Sequence, residues 1–267
     1  MHGKAVALAP PLLRIGVSLV VPEAFDTDRF GSFTGEVPRA GTMEEAARAK
    51  ALAAARATGL PTGLASEGAY GPHPVVPFLA FGVELLLWHD TRTGHEVTLR
   101  LTDDTPTYDR IEVAANEDIA PFLARNRFPE TALVVSALTG AAPVAKGITD
   151  PDALDAALTE ALALSPKGRA LIQTDMRAHM NPRRMQTIAR LAARFATRMA
   201  QACPACAAPG WGLLHTEPGL PCADCGTPTA LVQAEIHGCT ACGRAETRPR
   251  GDGRVTTDPA SCPMCNP

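Results

Sequence analysis

Residues 62–74 read TGLASEGAYGPHP, and the fold turns on where the strand in this stretch stops. Residues 62–66, "TGLAS", are strand-like. Two glycines and two prolines crowd the residues after them, so the local chemistry predicts a strand ending near Ser66 and a loop from there. Glu67 would then stand at the carboxyl end of a strand, where open α/β sheets place their ligands. Gly68 and Gly71 would let the backbone come close to a bound group. Taken alone, Glu67 is equally a solvated turn residue.

The neighbouring segments alternate between helix and strand. "VSLVVP" (17–22) reads as a strand. Thr42 N-caps a helix over "MEEAARAKALAAARATG", with Gly59 as its stop. Residues 83–101 read as a β-hairpin around "DTRTG", and residues 132–138 and 170–174 as further strands. Asp150 begins a helix over 151–164. Asn181 and Pro182 begin another over 181–200. The pattern predicts an α/β domain over residues 1–200, with a mixed, twisted sheet flanked by helices.

All eight cysteines fall after residue 200, as four C-x-x-C pairs: Cys203/Cys206, Cys222/Cys225, Cys239/Cys242 and Cys262/Cys265. Pairs of this spacing form knuckles, and two knuckles complete a tetrahedral zinc site. Four pairs predict two structural zinc ions in a double zinc ribbon over 201–267. The spacing favours sequential pairing, first with second and third with fourth, while leaving interleaved and nested schemes open. Four thiolates fill each site, so neither ion keeps a position for catalysis. After residue 201 the basic residues are Arg244, Arg248, Arg250 and Arg254, against Glu217, Asp224, Glu235, Glu246, Asp252 and Asp258. Zinc–tetrathiolate sites add more negative charge, which disfavours nucleic acid and favours a protein partner.

The whole chain carries a formal charge of −3 and is 46% apolar, the composition of a globular protein without general affinity for polyanions. No apolar run reaches the roughly 20 residues of a membrane span, and no signal peptide is legible at the N-terminus. The expected location is the cytoplasm.

The second chemical constellation is "TDMRAHMNPRRM" (174–185). Asp175, Arg177 and His179 follow a strand, and Arg183 and Arg184 open a helix. Cations in a helix's first turn oppose its dipole, and an anionic phosphate would account for them. Arg190, Arg194 and Arg198 fit a solvated helix face. Lys4, Lys50 and Lys146 are further phosphate-contacting candidates. Glu45 stands in a first turn, where a carboxylate also serves the dipole. His73, between two prolines, reads as a turn residue.

Two resemblances follow from these motifs. Over nearly its full length the chain resembles a bacterial family of domain-of-unknown-function proteins. The carrying motifs are "HGK", "VVPEAFDTDRFGSFTGE", "ARAKALAA", "ASEGAYGPHP", "KGITD", "TDMRAHMNPRRM", "GLPCADCG" and the closing "DP..C..CNP". More distantly, residues 1–200 are similar to the inosine-triphosphate-pyrophosphatase-like group of house-cleaning nucleotide hydrolases. The shared features are Lys4, the helix segment Glu45–Ala51 with Lys50, Ser66-Glu67-Gly68 before a hairpin, and His179–Arg184. That group's N-terminal Thr and Asn have no counterpart before His2, which implies either an upstream strand outside this sequence or a truncated, impaired protein. Ala46 stands where the group has Asn.

This resemblance implies a Mg²⁺-dependent nucleotide hydrolase. Glu45 and Glu67 would bind the ion, and either of them or Asp175 would orient water. Lys4, Lys50, Arg177, Arg183 and Arg184 would hold phosphates, and His179 the base or sugar. The rival readings are a non-enzymatic adaptor that binds a nucleotide or phosphorylated ligand and docks a partner through its zinc ribbons, and a nucleic-acid-binding protein.

Overall fold

In the computed structural model, residues 3–23, 41–140 and 142–267 are described; most of the motif at 20–36 lies outside them. The chain divides into two units. The first comprises residues 1–92 and 98–195, the second 93–97 and 196–267. No helix among the described residues is long and apolar enough to cross a membrane.

The first unit opens with α1 (Ala5–Leu13), which begins at Lys4. Val17 to Pro22, expected as a strand, has no strand pairing. α2 (Met43–Thr58) starts on a capping box, with Glu45 N donating to Thr42 Oγ1 and Thr42 N to Glu45 Oε2. It stops at Gly59 in the left-handed conformation.

β1 runs Thr62–Pro72, β2 Ala80–Asp90 and β3 Glu96–Asp103, a three-stranded sheet in the order β1-β2-β3. The first strand therefore does not stop at Ser66. Glycines 68 and 71 are accommodated inside an antiparallel ladder that pairs Glu67 with Leu85, Gly68 with Glu84 and Tyr70 with Gly82. Pro72 is its last residue, paired with Ala80, and Pro74 lies in the turn beyond. The 83–101 hairpin forms as expected.

The second sheet of this unit holds β4 (Arg110–Ala114), β5 (Leu133–Ala137), β6 (Ala145–Ile148) and β7 (Arg169–Thr174) in the order β4-β7-β5-β6. Its pairings are all antiparallel, which corrects the expected mixed sheet. The cause is an insertion that sequence order hides. α3 (Ala120–Arg125) joins β4 to β5, and α4 (Pro151–Leu164) joins β6 to β7. Each crossover links strands of one direction, but the fold places an opposite strand between them. The core here unites Val113, Phe122, Leu133, Val135, Ile148 and Ile172 with Leu154, Ala157 and Ala161 of α4, residues spaced at three and four on one helix face. α5 (Pro182–Met199) closes the unit.

α2 packs on the β1–β2 hairpin through Ala47, Ala51, Ala65, Leu85 and Leu87. Small residues on the helix let it lie close. At the closest point, a Cβ on Gly63 would overlap the backbone carbonyl of Ala51, and backbone cannot move aside as a flexible side chain can. Gly63→Ala is therefore expected to cost about 2–3 kcal/mol, read as a lowered urea midpoint. An unchanged midpoint would show that α2 does not pack there.

The second unit is an antiparallel sheet of β8 (Gly212–Pro218), β9 (Val232–Gly238) and β10 (Ala245–Pro249), in the order β10-β9-β8, with the cysteine pairs at its ends.

Candidate functional site

Successive side chains of a strand point to opposite faces, and three glycines show which way the faces of the β1–β2 hairpin look. A Cβ on Gly63 points at α2. A Cβ on Gly68 would meet Arg184 Nη2 at 2.5 Å and Glu84 Oε1 at 2.6 Å. Gly82 makes room for the ring of Tyr70. Ala65 and Glu67 thus share the α2 face, while Ser66, Gly68, Tyr70 and Glu84 share the opposite face.

On the α2 face, Glu67 forms an ion pair with Lys50. Both are largely buried, so each charge meets its counter-charge in a poorly screened setting. Glu45, expected to share a metal with Glu67, is instead committed to the Thr42 cap. That hydrogen bond to the Thr42 backbone holds its carboxyl below the usual carboxylate range. The helix-dipole role suffices for Glu45.

The opposite face carries the densest polar network of the unit. Arg184, 1% exposed at its side chain, donates from Nε to Glu84 Oε1 at 2.6 Å. It also donates from Nη1 to Met176 O. Its guanidinium stacks over Tyr70, 5.2 Å from the ring centre. Tyr70 donates its hydroxyl to Glu84 Oε1 at 3.0 Å, and burial followed by the Glu84 charge pushes that hydroxyl's pKa far up. Glu84 Oε2 is buried and has no hydrogen-bond partner among the described residues. Lys4 Nζ donates to Ser66 O at 3.2 Å and to Ser66 Oγ at 3.1 Å. Burial, followed by the charge of Arg184, lowers the Lys4 pKa to about 8. Lys4 thus lies beside the Arg184–Glu84 pair, with the Lys50–Glu67 pair on the other face.

The remaining predicted residues lie around α5. Asn181 Oδ1 caps the helix by accepting from Arg184 N at 3.0 Å. The cations of its first turn find anions within the protein: Glu84 for Arg184, and Asp103 for Arg183, whose Nη2 lies 3.6 Å from Asp103 Oδ1 and 2.6 Å from Thr105 Oγ1. An external phosphate is not needed to explain them. Asp175, 1% exposed, is held by Arg177 through Nε and Nη2, with Nη2 at 2.6 Å from Oδ2. That bidentate pair makes Asp175 a positioning group for the Arg177 side chain, which lies against Gly147. His179 approaches the N-terminal segment, its Cβ 3.5 Å from where a Cβ on Gly3 would stand. His73 Nδ1 accepts from Val75 N and Val76 N and so orders the β1–β2 turn.

Glu84, Tyr70 and Ser66 were not among the sequence candidates, while Asn181 caps α5 as expected. Glu84 had a signal: a lone charge inside the apolar run "FGVELLLW" must be paired if that run is a buried strand.

In the second unit, two groups of four thiols assemble: Cys203, Cys206, Cys239 and Cys242, and Cys222, Cys225, Cys262 and Cys265. Sγ–Sγ separations are 3.8 Å for Cys203–Cys242, 3.7 Å for Cys206–Cys239, 3.9 Å for Cys222–Cys265 and 3.6 Å for Cys225–Cys262. A tetrahedron of sulfurs at ~2.3 Å from zinc has edges of about 3.8 Å, so the thiols fit the ion. The pairing is interleaved, which corrects the sequential scheme. β8 carries the chain from the first knuckle to the second, β9 returns it to the third and β10 goes out to the fourth. A seven-residue strand keeps consecutive knuckles about 20 Å apart, and the antiparallel meander brings alternate ones together.

Each knuckle repeats one turn. The backbone N–H four residues on donates to the first cysteine's carbonyl, from Ala207, Gly226, Gly243 and Asn266. Thr227 Oγ1, 3.2 Å from Cys225 Sγ, favours the thiolate at Cys225, while the hydrogen bond shared with Cys225 pushes the Cys265 thiol up. Trp211 and Ala208 pack against Cys203 and Cys239.

Residues 50–267 match the family described as Domain of unknown function (DUF6671). The chain belongs to this family. The match takes in all eight cysteines together with Lys50, Glu67, Glu84 and Arg184, while Lys4 and Glu45 precede it. No curated protein and no solved structure matches the chain.

Two predictions follow from this geometry. In a Cys203→Ser/Cys206→Ser variant of this DUF6671 protein, bound zinc is expected to fall from two ions to one, with Cys239 and Cys242 becoming the reactive thiols under alkylation and mass spectrometry. Reactivity at Cys222 and Cys225 instead would restore sequential pairing. The second concerns Lys4. An unfolded lysine titrates near 10.5 and the folded one near 8, so between those values the unfolded chain binds more protons. The stability owed to this residue therefore rises with pH from about 8 to 10.5 and is lowest below about 8. Lys4→Met is expected to raise the urea midpoint at neutral pH and to flatten that rise; a lower midpoint would show that the Ser66 hydrogen bonds outweigh the cost of burial.

Proposed function

We propose that this protein is a zinc-stabilised, non-hydrolytic binding protein for a small phosphate-bearing ligand. The ligand would sit on the Lys4 face of the β1–β2 hairpin, with the zinc-knuckle unit as a scaffold or partner-docking module. The observation that carries this reading is the Lys4 ammonium, whose Nζ donates to the uncharged Ser66 O and Oγ at 3.2 and 3.1 Å. Lys4 places an ammonium among neutral acceptors beside a second cation, and its lowered pKa shows the group held against its own preference. Buried charge adds little net stability and clusters at functional sites. Nucleotides are the ligand class suggested by the resemblance of residues 1–200.

Hydrolysis has less support. Glu45 caps a helix and Glu67 is neutralised by Lys50 on the far face of the sheet, so the two carboxylates expected to hold Mg²⁺ have other partners. The zinc sites are filled by four thiolates each and supply no open coordination position. Nucleic-acid binding loses its main argument as well, since Arg183 and Arg184 are answered by Asp103 and Glu84.

Titration calorimetry of the full chain with nucleoside mono-, di- and triphosphates, with and without Mg²⁺, tests the reading. Binding without turnover is expected, weakened about tenfold or more by Lys4→Met, the loss of one charged hydrogen bond. Affinity should also fall as pH rises through about 8, where Lys4 loses its charge. Turnover that requires Mg²⁺ would return the hydrolase reading, and absence of binding to every compound would overturn the ligand site.

A further inference from the structure

Given zinc in both thiol quartets, as read above, we propose that one of them is redox-active. Cys225 and Cys265 exchange the ion of the second quartet (Cys222, Cys225, Cys262, Cys265) for a disulfide. The first quartet (Cys203, Cys206, Cys239, Cys242) keeps its ion. In every knuckle the leading cysteine is buried and the trailing one exposed, so a small oxidant reaches Cys206, Cys225, Cys242 and Cys265 from solvent. Cys225 Sγ lies 3.5 Å from Cys265 Sγ, and a disulfide needs about 2.0 Å. One knuckle must therefore shift for the bond to form.

The two quartets differ in what holds their knuckles. Around the first, Trp211 and Ala208 pack on Cys203 and Cys239. Arg198 donates to Gly210 O at 3.2 Å and to Leu213 O at 2.8 Å, and Gly210 lies against Val97. Thr240, between Cys239 and Cys242, donates its hydroxyl to Glu96 O. Both knuckles of the first quartet are thus pinned by groups outside it. Among the described residues, the hydrogen bonds of the fourth knuckle close on itself or on sulfur. Cys262 N donates to Pro259 O, Asn266 N to Cys262 O and Asn266 Nδ2 to Ala260 O. Met264, between its cysteines, is 71% exposed. Ahead of it, Thr257 N donates to Pro221 O and Thr257 O accepts from Ala223 N. Beyond that anchor, the hydrogen-bonding contacts with the second knuckle are those between sulfurs, and the fourth knuckle is the one able to pivot.

Hydrogen peroxide is the oxidant. The Cys225 thiolate attacks one peroxide oxygen, the O–O bond breaks and hydroxide leaves, giving a sulfenic acid. The Cys265 thiolate then attacks that sulfur, the S–S bond forms, the S–O bond breaks and a second hydroxide leaves. Two electrons pass from the sulfurs to the peroxide, and two protons from the buffer turn both hydroxides into water. Cys222 and Cys262 alone no longer complete a four-thiolate site. The disulfide keeps the fourth knuckle tied to the second, and a dithiol reductant restores the thiols.

The test treats the zinc-loaded full chain, its metal content measured beforehand, with hydrogen peroxide in rising amounts. A chromogenic chelator follows released zinc, and free thiols are alkylated before peptide mass mapping. One ion of the two is expected to leave first, together with the appearance of a peptide cross-linked through Cys225 and Cys265. At that stage the four thiols of the first quartet should remain protected from alkylation, and reduction should restore uptake of the lost ion. Loss from the first quartet first, loss of both ions together, or zinc release without the Cys225–Cys265 bond overturns the redox assignment and leaves the zinc sites standing. Resistance of both sites to peroxide does the same. A starting content below two ions overturns the zinc reading on which the assignment rests.

Discussion

The ion pair between Arg184 and Glu84 is the constraint around which the first unit is arranged. It ties the start of α5 to the middle of β2, across one hundred residues of sequence. Both side chains are sealed from water, and the rest of the neighbourhood follows from that. Gly68 must lack a side chain because it lies opposite Glu84, where Arg184 enters. Tyr70 must reach Glu84, so Gly82 opposite must be small. The segment after β7 must bring the Met176 carbonyl to the guanidinium. A glycine-rich strand that reads as a loop is instead a strand cleared for an arginine.

The zinc unit obeys a different economy. Its strands bury little, with Ile236 and Gly238 the buried positions of β9, and its few core side chains include cysteines themselves. A sheet so thin does not fold on apolar burial alone. Interleaving the knuckles brings together turns that lie more than thirty residues apart, so two metals held there would staple all three strands. Sequential pairing would have closed two independent loops and left the sheet between them unsupported. The meander and the metals therefore specify one another.

Much of the local structure was legible and little of the assembly was. The caps at Thr42, Asp150 and Asn181 act through short-range hydrogen bonds, and the residue types at those positions announce them. The eight thiol ligands were equally plain from C-x-x-C spacing, though their grouping into quartets was not. What escaped was set by contacts between segments distant in sequence. Strand insertion turned alternating elements into an antiparallel sheet, and glycines 68 and 71 were read by their local freedom when their role is steric. Glu67 was singled out for a loop position that it does not occupy, and it proves to be the half of the pair facing α2. The arginines at the head of α5 did demand anions, as the helix dipole argues, but the sequence alone could not show that these were the internal Asp103 and Glu84.

A buried ion pair is weak evidence for stability, since well-packed apolar residues of similar volume often do as well. β2 shows that this strand readily supplies them: Leu85, Leu86 and Leu87 follow Glu84 directly and are all fully buried. A leucine at 84 facing a methionine at 184 would remove one orphaned oxygen and one desolvated guanidinium without loss of core volume. Lys4 adds a further cost by leaving an ammonium where its pKa falls to about 8. Three departures from what packing prefers, on one face of one hairpin, point to a requirement other than folding.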